Sequence, residues 1–531
     1  MKSGYLIKIL ACLVLSSITL SAFAQTYTSP RHTKSGLVSG VVEEGIEVYK
    51  GIPYAADTSG ENRWHPPKPA PSWYGILQAD TFGPSCAQFS RFPVPGQIVG
   101  SEDCLSLNIY TSGKGKGKFK KKPVMVWIHG GGFKNGSSSE SQYNATKLAK
   151  KGVVVVSINY RLDFLGRFAH PAISAAQQNE HLGNYALMDQ IAALKWVKRN
   201  IKAFGGDPKN VTIFGQSAGG VAVNYLMGTP DSKGLFKNAI AQSGGVRIHH
   251  ARYLDQADSL NPISLEQQGL ELGSYFGIAN DVNAPEALRS LSLEQLISQF
   301  PENENSMNPV VDGTLVTEPI GKTFYNGRQH SVNYMGGGTS HEMSFFLAFG
   351  IPLELLLQGS DIDEVRDLYP EYAGNDSVIG SFWASDMQFL APHKFLAQQM
   401  YKVWKPGYNY YFDYLPTAQQ NPSSYGVSHS GDVPFTFGNM AADATAEDIA
   451  ISEKMMTAWT NFAKYGNPNE PARFGSGWSS GLDLEWLPTT KWYDQTTVID
   501  VDGIRSEKDF EEIKSRMDFI LEVYEESMQN L

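Results

Sequence analysis

The chain has 531 residues, 42% hydrophobic and 12% aromatic, and carries a formal charge of −10. That is enough apolar material for one large α/β domain or two to three smaller ones. The acidic balance excludes nucleic acid as an expected partner, and nothing in the chain points to a particular oligomeric state.

Residues 1–24 read as a secretory signal peptide. Lys2 and Lys8 supply positive charge, Ile9 to Leu20 form an apolar run, and Ala22-Phe23-Ala24 is a small-x-small cleavage site that leaves Gln25 first. The run is too short to span a bilayer comfortably, so the expectation is a secreted or periplasmic protein without stable membrane insertion. Cleavage removes Cys12 and leaves Cys86 and Cys104. In an oxidising compartment an isolated pair bonds, so a disulfide is expected. Too few cysteines and no histidine cluster remain for a metal site, and no cofactor is expected.

From Gly36 onward, short apolar runs alternate with helical stretches. Strands are expected at 36–42, 46–52, 105–110, 124–129, 153–159, 211–214, 239–242, 332–336 and 409–414. The runs Val124–Ile128 and Val153–Val156 are apolar without alternation, which suits strands buried on both faces of a mostly parallel sheet. The basic, glycine-interleaved run from Lys114 to Lys122 reads as a solvated hairpin tip. Leu187 to Phe204 has helical spacing, and Gly205-Gly206-Asp207-Pro208 ends it. These elements predict a single α/β domain over 25–531, with helical insertions at about 250–330 and 345–405 that cap the sheet's carboxyl edge. Ser506 and Asp509 read as caps of a C-terminal amphipathic helix carrying Phe510, Ile513, Met517, Ile520, Leu521 and Tyr524 on one face.

The chemistry centres on Val211-Thr212-Ile213-Phe214-Gly215-Gln216-Ser217-Ala218-Gly219-Gly220, a strand running into Gly-x-Ser-x-Gly and then a helix. A serine on such a turn is held in a strained conformation with its hydroxyl in a cleft. Upstream, the buried strand Val124–Ile128 opens into His129-Gly130-Gly131-Gly132-Phe133. Consecutive glycines let backbone N–H groups converge on one point, so Gly131, Gly132 and Ala218 are the candidate oxyanion donors. His129 precedes the nucleophile and reads as a brace for this loop. A nucleophile elbow runs in the chain order serine, acid, histidine. His429, in a polar loop after the strand 409–414, is the candidate base, and His393 reads as a packing or surface histidine on a helix. Glu342, closing the loop Gly336-Gly337-Gly338-Thr339-Ser340-His341, is the candidate acid. Asp312, which looks like a turn residue, competes for that role. Phe133, Gln216, Phe345 and Phe435 are candidate pocket residues, and Phe346 and Phe437 flank the same segments.

Together these residues resemble the type-B carboxylesterase family, which includes cholinesterases and bacterial para-nitrobenzyl esterases. The resemblance runs from about Gly36 to Tyr493. It rests also on Tyr49-Lys50-Gly51-Ile52-Pro53-Tyr54-Ala55, Ser101-Glu102-Asp103-Cys104-Leu105-Ser106-Leu107-Asn108-Ile109, Asn159-Tyr160-Arg161-Leu162 and Gly183-Asn184-Tyr185-Ala186-Leu187-Met188-Asp189-Gln190, with Trp459 to Asn469 late in the chain. It implies an α/β-hydrolase fold, a small-molecule ester substrate, Ser217–Glu342–His429 as a catalytic triad and Cys86–Cys104 as the family's first disulfide loop. Two departures stand out. The residue before the nucleophile is usually glutamate and here is Gln216. The loop between Cys86 and Cys104 holds no tryptophan, the residue with which cholinesterases grip a quaternary ammonium. Both argue for a neutral or anionic ester over a choline ester. The same triad also serves amides, thioesters and lactones, and a non-catalytic binding module on this fold is the reading from another class.

Overall fold

The computed structural model describes residues 26–90, 96–113, 121–245, 251–258, 261–299, 307–344, 352–357, 360–420, 425–469, 486–508 and 510–530. The signal-peptide segment, residues 114–120 of the basic run, Phe345, Phe346 and Asp509 lie outside these.

Eleven strands form the central sheet among the described residues. In chain order they are β1 (Val41–Glu43), β2 (Ile46–Pro53), β3 (Ser106–Thr111), β4 (Lys122–Ile128), β5 (Val154–Ile158), β6 (Gly206–Gln216), β7 (Asn238–Gln242), β8 (Asn333–Thr339), β9 (Gly407–Phe412), β10 (Gln495–Asp500) and β11 (Gly503–Lys508). Across the sheet the order is β11-β10-β9-β8-β7-β6-β4-β5-β3-β2-β1. Pairing is parallel from β10 through to β5 and antiparallel at both edges. This is the mostly parallel α/β-hydrolase sheet that the sequence implies.

An apolar run without alternation forms a strand where both faces are covered. Val124, Val126 and Ile128 of β4 enter one core cluster, while Met125 and Trp127 enter the other. Helix α1 (Tyr185–Asn200) covers one face and helix α4 (Ala446–Tyr465) the other. Behind β5, Arg161 grips the buried Asp189 of α1 through Nε at 2.8 Å and Nη2 at 2.7 Å. Helix α2 (Ala218–Gly228) follows β6 directly.

Short helices at 265–275, 284–289 and 320–325 lie between β7 and β8. Helices at 353–357, 362–367 and 376–385 lie between β8 and β9, followed by α3 (Ala391–Gln399). Helix α3 packs on β8 and β9 themselves. The C-terminal helix α5 (Glu511–Asn530) buries Ile513, Met517, Ile520 and Tyr524.

Three expectations are corrected. The strands that flank the basic run do not pair as a hairpin, because β5 lies between β3 and β4. Strands β10 and β11 were not anticipated. Ser506 is no helix cap: it sits in β11 opposite Thr497, and its hydroxyl accepts from the Leu487 N–H at 3.1 Å.

Candidate active site

Ser217 stands between β6 and α2 with φ +57° and ψ −127°, a conformation L-residues rarely adopt. The fold holds it there from both sides. Its N–H donates to the Gln242 carbonyl of β7 at 2.9 Å, and its own carbonyl accepts from Val221 N–H at 2.9 Å. Helix α2 crosses β4 so closely that a Cβ on Gly219 would fall 2.0 Å from the Ile128 carbonyl oxygen. A side chain there would push the helix off the sheet and relax the turn.

The glycine loop after β4 forms the facing wall. Gly131 (φ +107°) and Gly132 (φ +65°) both lie in left-handed space. The Gly131 carbonyl accepts from Lys134 and Asn135 N–H, closing a tight turn. Among the described residues, the N–H groups of Gly131, Gly132 and Ala218 donate to no protein acceptor. Ala218 is the first residue of α2, where the helix dipole favours negative charge. His129 braces this loop: its Nδ1 lies 2.8 Å from the Gly130 carbonyl, and its ring stacks on Tyr160 at 4.4 Å. Burial pushes its basicity down.

Glu342 follows β8 and is fully buried. Its Oε1 accepts from Thr339 N–H at 2.7 Å, and its Oε2 lies 2.5 Å from Nδ1 of His429. The loop carrying His429 is tied down beside it. The His341 N–H donates to the Val427 carbonyl at 3.0 Å, and the Val427 N–H donates to the Ser340 hydroxyl at 2.8 Å. Beneath the loop, the buried Asp432 accepts from Gln242 Nε2 at 2.8 Å and from the Tyr410 hydroxyl at 3.0 Å. Burial, reinforced by the charge of Glu342, pushes the Asp432 carboxyl up to about 6.

Ser217, Gln216, His429, Gly131 and Gly132 line one cavity of about 890 Å³. Its described walls also include Ser85, Gln88 and Asn135 near the glycine loop, and Met343, Gln388 and Phe389 opposite. The Phe389 ring lies 5.2 Å from the His429 ring. Among the described residues, no group of acidic, histidine or cysteine side chains is arranged to hold a metal ion. Cys86 and Cys104 form a disulfide at the base of the segment carrying Gln88.

Other candidates fall elsewhere. Asp312 is a turn residue: its Oδ1 accepts from the N–H groups of Thr314, Leu315 and Val316. His393 is buried rather than on a surface. Its Nε2 accepts from Gly244 N–H at 2.7 Å. Phe435 is corrected from pocket to core, where it packs between Phe412 and Tyr414 at 5.2 and 5.5 Å. The chain turns down after Asp432 into a short helix, Val433–Phe437, that packs against α4. Phe437 goes with it and meets Trp127 edge-on at 4.9 Å. Phe133 is buried behind the glycine loop against Tyr160. Phe389 was missed as a wall residue because its helical spacing with Phe395 and Leu396 reads as ordinary core packing. It reaches the cavity from a π-helical turn, Asp386–Leu390, that no local signal announces.

Comparison with known proteins agrees with this architecture. A family model described as the carboxylesterase family matches residues 28–374 and 381–515. A fumonisin B1 esterase of Sphingopyxis macrogoltabida is 34% identical over 465 residues, covering 83% of this chain and 82% of that protein. A para-nitrobenzyl esterase of Bacillus subtilis (strain 168) is 35% identical over 468 residues, covering 83% and 90%. A solved PNB esterase structure superposes with a TM-score of 0.75 at 31% identity, covering 92% of this chain and 99% of that one. The chain belongs to the carboxylesterase family and is a carboxylic ester hydrolase of the α/β-hydrolase fold.

Proposed function

We propose that the chain cleaves neutral or anionic carboxylic esters through an acyl-enzyme on Ser217. His429 takes the hydroxyl proton on Nε2 as Ser217 Oγ bonds to the ester carbonyl carbon. The carbonyl oxygen becomes an oxyanion that accepts from the N–H groups of Gly131, Gly132 and Ala218. The tetrahedral intermediate collapses, the ester C–O bond breaks, and the imidazolium protonates the departing alcohol. Water then repeats the sequence on the acyl-enzyme and releases the acid. Glu342 keeps the proton of the neutral ring on Nδ1 and stabilises the cation formed in each step. The observation that carries this reading is a serine on a strained elbow sharing one cavity with a histidine whose far nitrogen meets a buried carboxylate.

The preference against choline esters is supported by the neutral amide of Gln216 beside the nucleophile and by the tryptophan-free segment between Cys86 and Cys104. The reading includes a single domain over 25–531 with helical insertions, and export of the chain to the periplasm or beyond. Export is supported by the 1–24 pattern and the disulfide. No described helix is long and apolar enough to cross a membrane.

A fluorophosphonate probe tests the nucleophile. Labelling and para-nitrophenyl ester hydrolysis are expected in the native chain and lost together in Ser217→Ala. Labelling that persists in that variant overturns the assignment, and a clear preference for acetylthiocholine over uncharged thioesters of equal size overturns the substrate class.

A further inference from the structure

The glycine loop after β4 is propped from outside by a residue of the disulfide segment. Beyond Gly132 the chain turns back, and its returning limb lies against the outgoing one. A Cβ on Gly136 (φ +113°) would fall 2.5 Å from His129 Nδ1 and 2.6 Å from the Gly130 carbonyl oxygen, and a Cβ on Gly131 would meet the Asn135 carbonyl oxygen. Limbs packed this closely do not shift independently. The aim of the Gly131 and Gly132 N–H groups therefore depends on where residues 135–136 are held.

What holds them is Gln88. Its Oε1 accepts from the Gly136 N–H at 2.8 Å, and its Nε2 donates to the Gly136 carbonyl at 2.9 Å. The other Nε2 hydrogen goes to the Cys86 carbonyl at 2.9 Å. A side-chain amide thus pairs with the backbone of one residue as a neighbouring strand would. Among the described residues, the two backbone groups of Gly136 have no other partner. Gln88 is itself anchored: it lies two residues from the Cys86–Cys104 disulfide, its backbone is paired with Val99, and it is 7% exposed. It stands in the cavity wall, yet both amide hydrogens are engaged, so it has no donor left for a substrate.

We propose that Gln88 is a positioning residue for oxyanion stabilisation: its amide clamps Gly136, and Gly136 in turn keeps the Gly131 and Gly132 N–H groups aimed at the oxygen of the tetrahedral intermediate. This rests on the reading of those groups as oxyanion donors. Without the clamp the Gly136 groups turn to water and the two limbs separate. Donors that should already point at the developing charge must then be reorganised during the step. A ground-state carbonyl oxygen carries little charge and is bound as before, so the clamp acts on the transition state.

The test compares the whole native chain with Gln88→Met and Gln88→Glu. It reads kcat/KM on an uncharged para-nitrophenyl ester, and inhibition by a trifluoromethyl ketone and by the methyl ketone of the same skeleton. The trifluoromethyl ketone takes the Ser217 oxygen onto its carbonyl carbon, the hydroxyl proton passes to His429, and its own oxygen becomes the oxyanion. The methyl ketone reports ground-state binding. Gln88→Met keeps the length and loses all three hydrogen bonds, and Gln88→Glu sets a carboxylate against two carbonyls. Each is expected to lower kcat/KM per active site about 10- to 100-fold and to weaken the trifluoromethyl ketone by a similar factor, with the methyl ketone unchanged. Active sites are counted by fluorophosphonate labelling carried to completion, so a variant that folds in low yield still reports the rate of its folded molecules. Native kcat/KM in either variant overturns the role of Gln88. So does a methyl ketone weakened as much as the trifluoromethyl ketone, which would make Gln88 a substrate contact. Two variants without any labelled site would make it a residue of folding and overturn the role as well. A trifluoromethyl ketone that inhibits the native chain no better than the methyl ketone overturns the oxyanion reading and the proposal with it. Tight inhibition of the native chain that neither variant changes overturns the proposal alone.

Discussion

Gly131 and Gly132 are adjacent, both at positive φ, and the structure sets them opposite fates on conversion to alanine. At Gly131 the new methyl would stand 1.9 Å from the Asn135 carbonyl oxygen and 2.7 Å from its carbon, both backbone atoms. Its φ of +107° lies beyond the left-handed region L-residues tolerate, a strain of about 1–3 kcal/mol. Relief requires the turn closed by Lys134 and Asn135 N–H to open, and opening it would swing the Gly131 and Gly132 N–H groups off the proposed oxyanion position. Loss of one oxyanion donor lowers kcat by about 10²–10³-fold, so Gly131→Ala is expected to lose about 10³-fold or more. At Gly132 a methyl meets nothing within 4 Å, and φ is +65°. The strain is about 1–2 kcal/mol and the donors stay aimed, so kcat is expected within about 10-fold of native. Steady-state kinetics on a small para-nitrophenyl ester measure both, with thermal melting to confirm folding. A Gly131→Ala enzyme with near-native kcat, or equal losses in the two variants, refutes the argument.

Three further outcomes are expected. Replacing Cys86 and Cys104 together by serine removes a cross-link over a sequence separation of 18, which should cost about 3 kcal/mol in denaturant unfolding if the cross-link acts by restricting the unfolded chain. Arg161→Met strands the buried Asp189 carboxylate, which burial already pushes toward the neutral form, and should cost about 3–5 kcal/mol. Burial pushes His393 down to about 3 and His341 to about 4, so both stay neutral in the folded chain while the unfolded chain takes up protons below 6.5. Their contribution to stability is full above that value and is lost as pH falls. Asp432, pushed up to about 6, acts the other way between 3.8 and 6. Urea unfolding at pH 7 and pH 5 should show His393→Asn losing about 2 kcal/mol less than the native chain over that interval.

What the sequence disclosed is what local pattern encodes. The elbow at Ser217 and the glycine loop at Gly131 and Gly132 are short runs whose backbone demands appear in residue type. Glu342 and His429 emerged from chain order, and the 2.5 Å contact between them is consistent with that reading. Strands β10 and β11 stayed hidden because they pair antiparallel at an edge and β11 carries Arg505, Ser506, Glu507 and Lys508, a composition that reads as a helix start. Phe435 was misplaced because sequence proximity to His429 does not say on which side of the loop an aromatic falls. The departure at Gln216 was visible as a missing charge. That its amide would reach a nitrogen 213 residues downstream was not, since only the tertiary fold sets that distance.

Strand β7 contributes none of the three proposed triad residues, yet it separates β6, which leads into Ser217, from β8, which leads towards Glu342. Two inter-strand spacings place those deliveries roughly 10 Å apart. Its end is fastened to both neighbours: the Gln242 carbonyl takes the Ser217 N–H, and the Ser243 N–H, one residue beyond, goes to the Gly337 carbonyl at 2.7 Å. The strand therefore works as a gauge block, fixing the gap an imidazole must bridge. One residue inserted or deleted in it would shift the register of these two fastenings, and with it the relative heights of Ser217 and Glu342, without changing a single site residue.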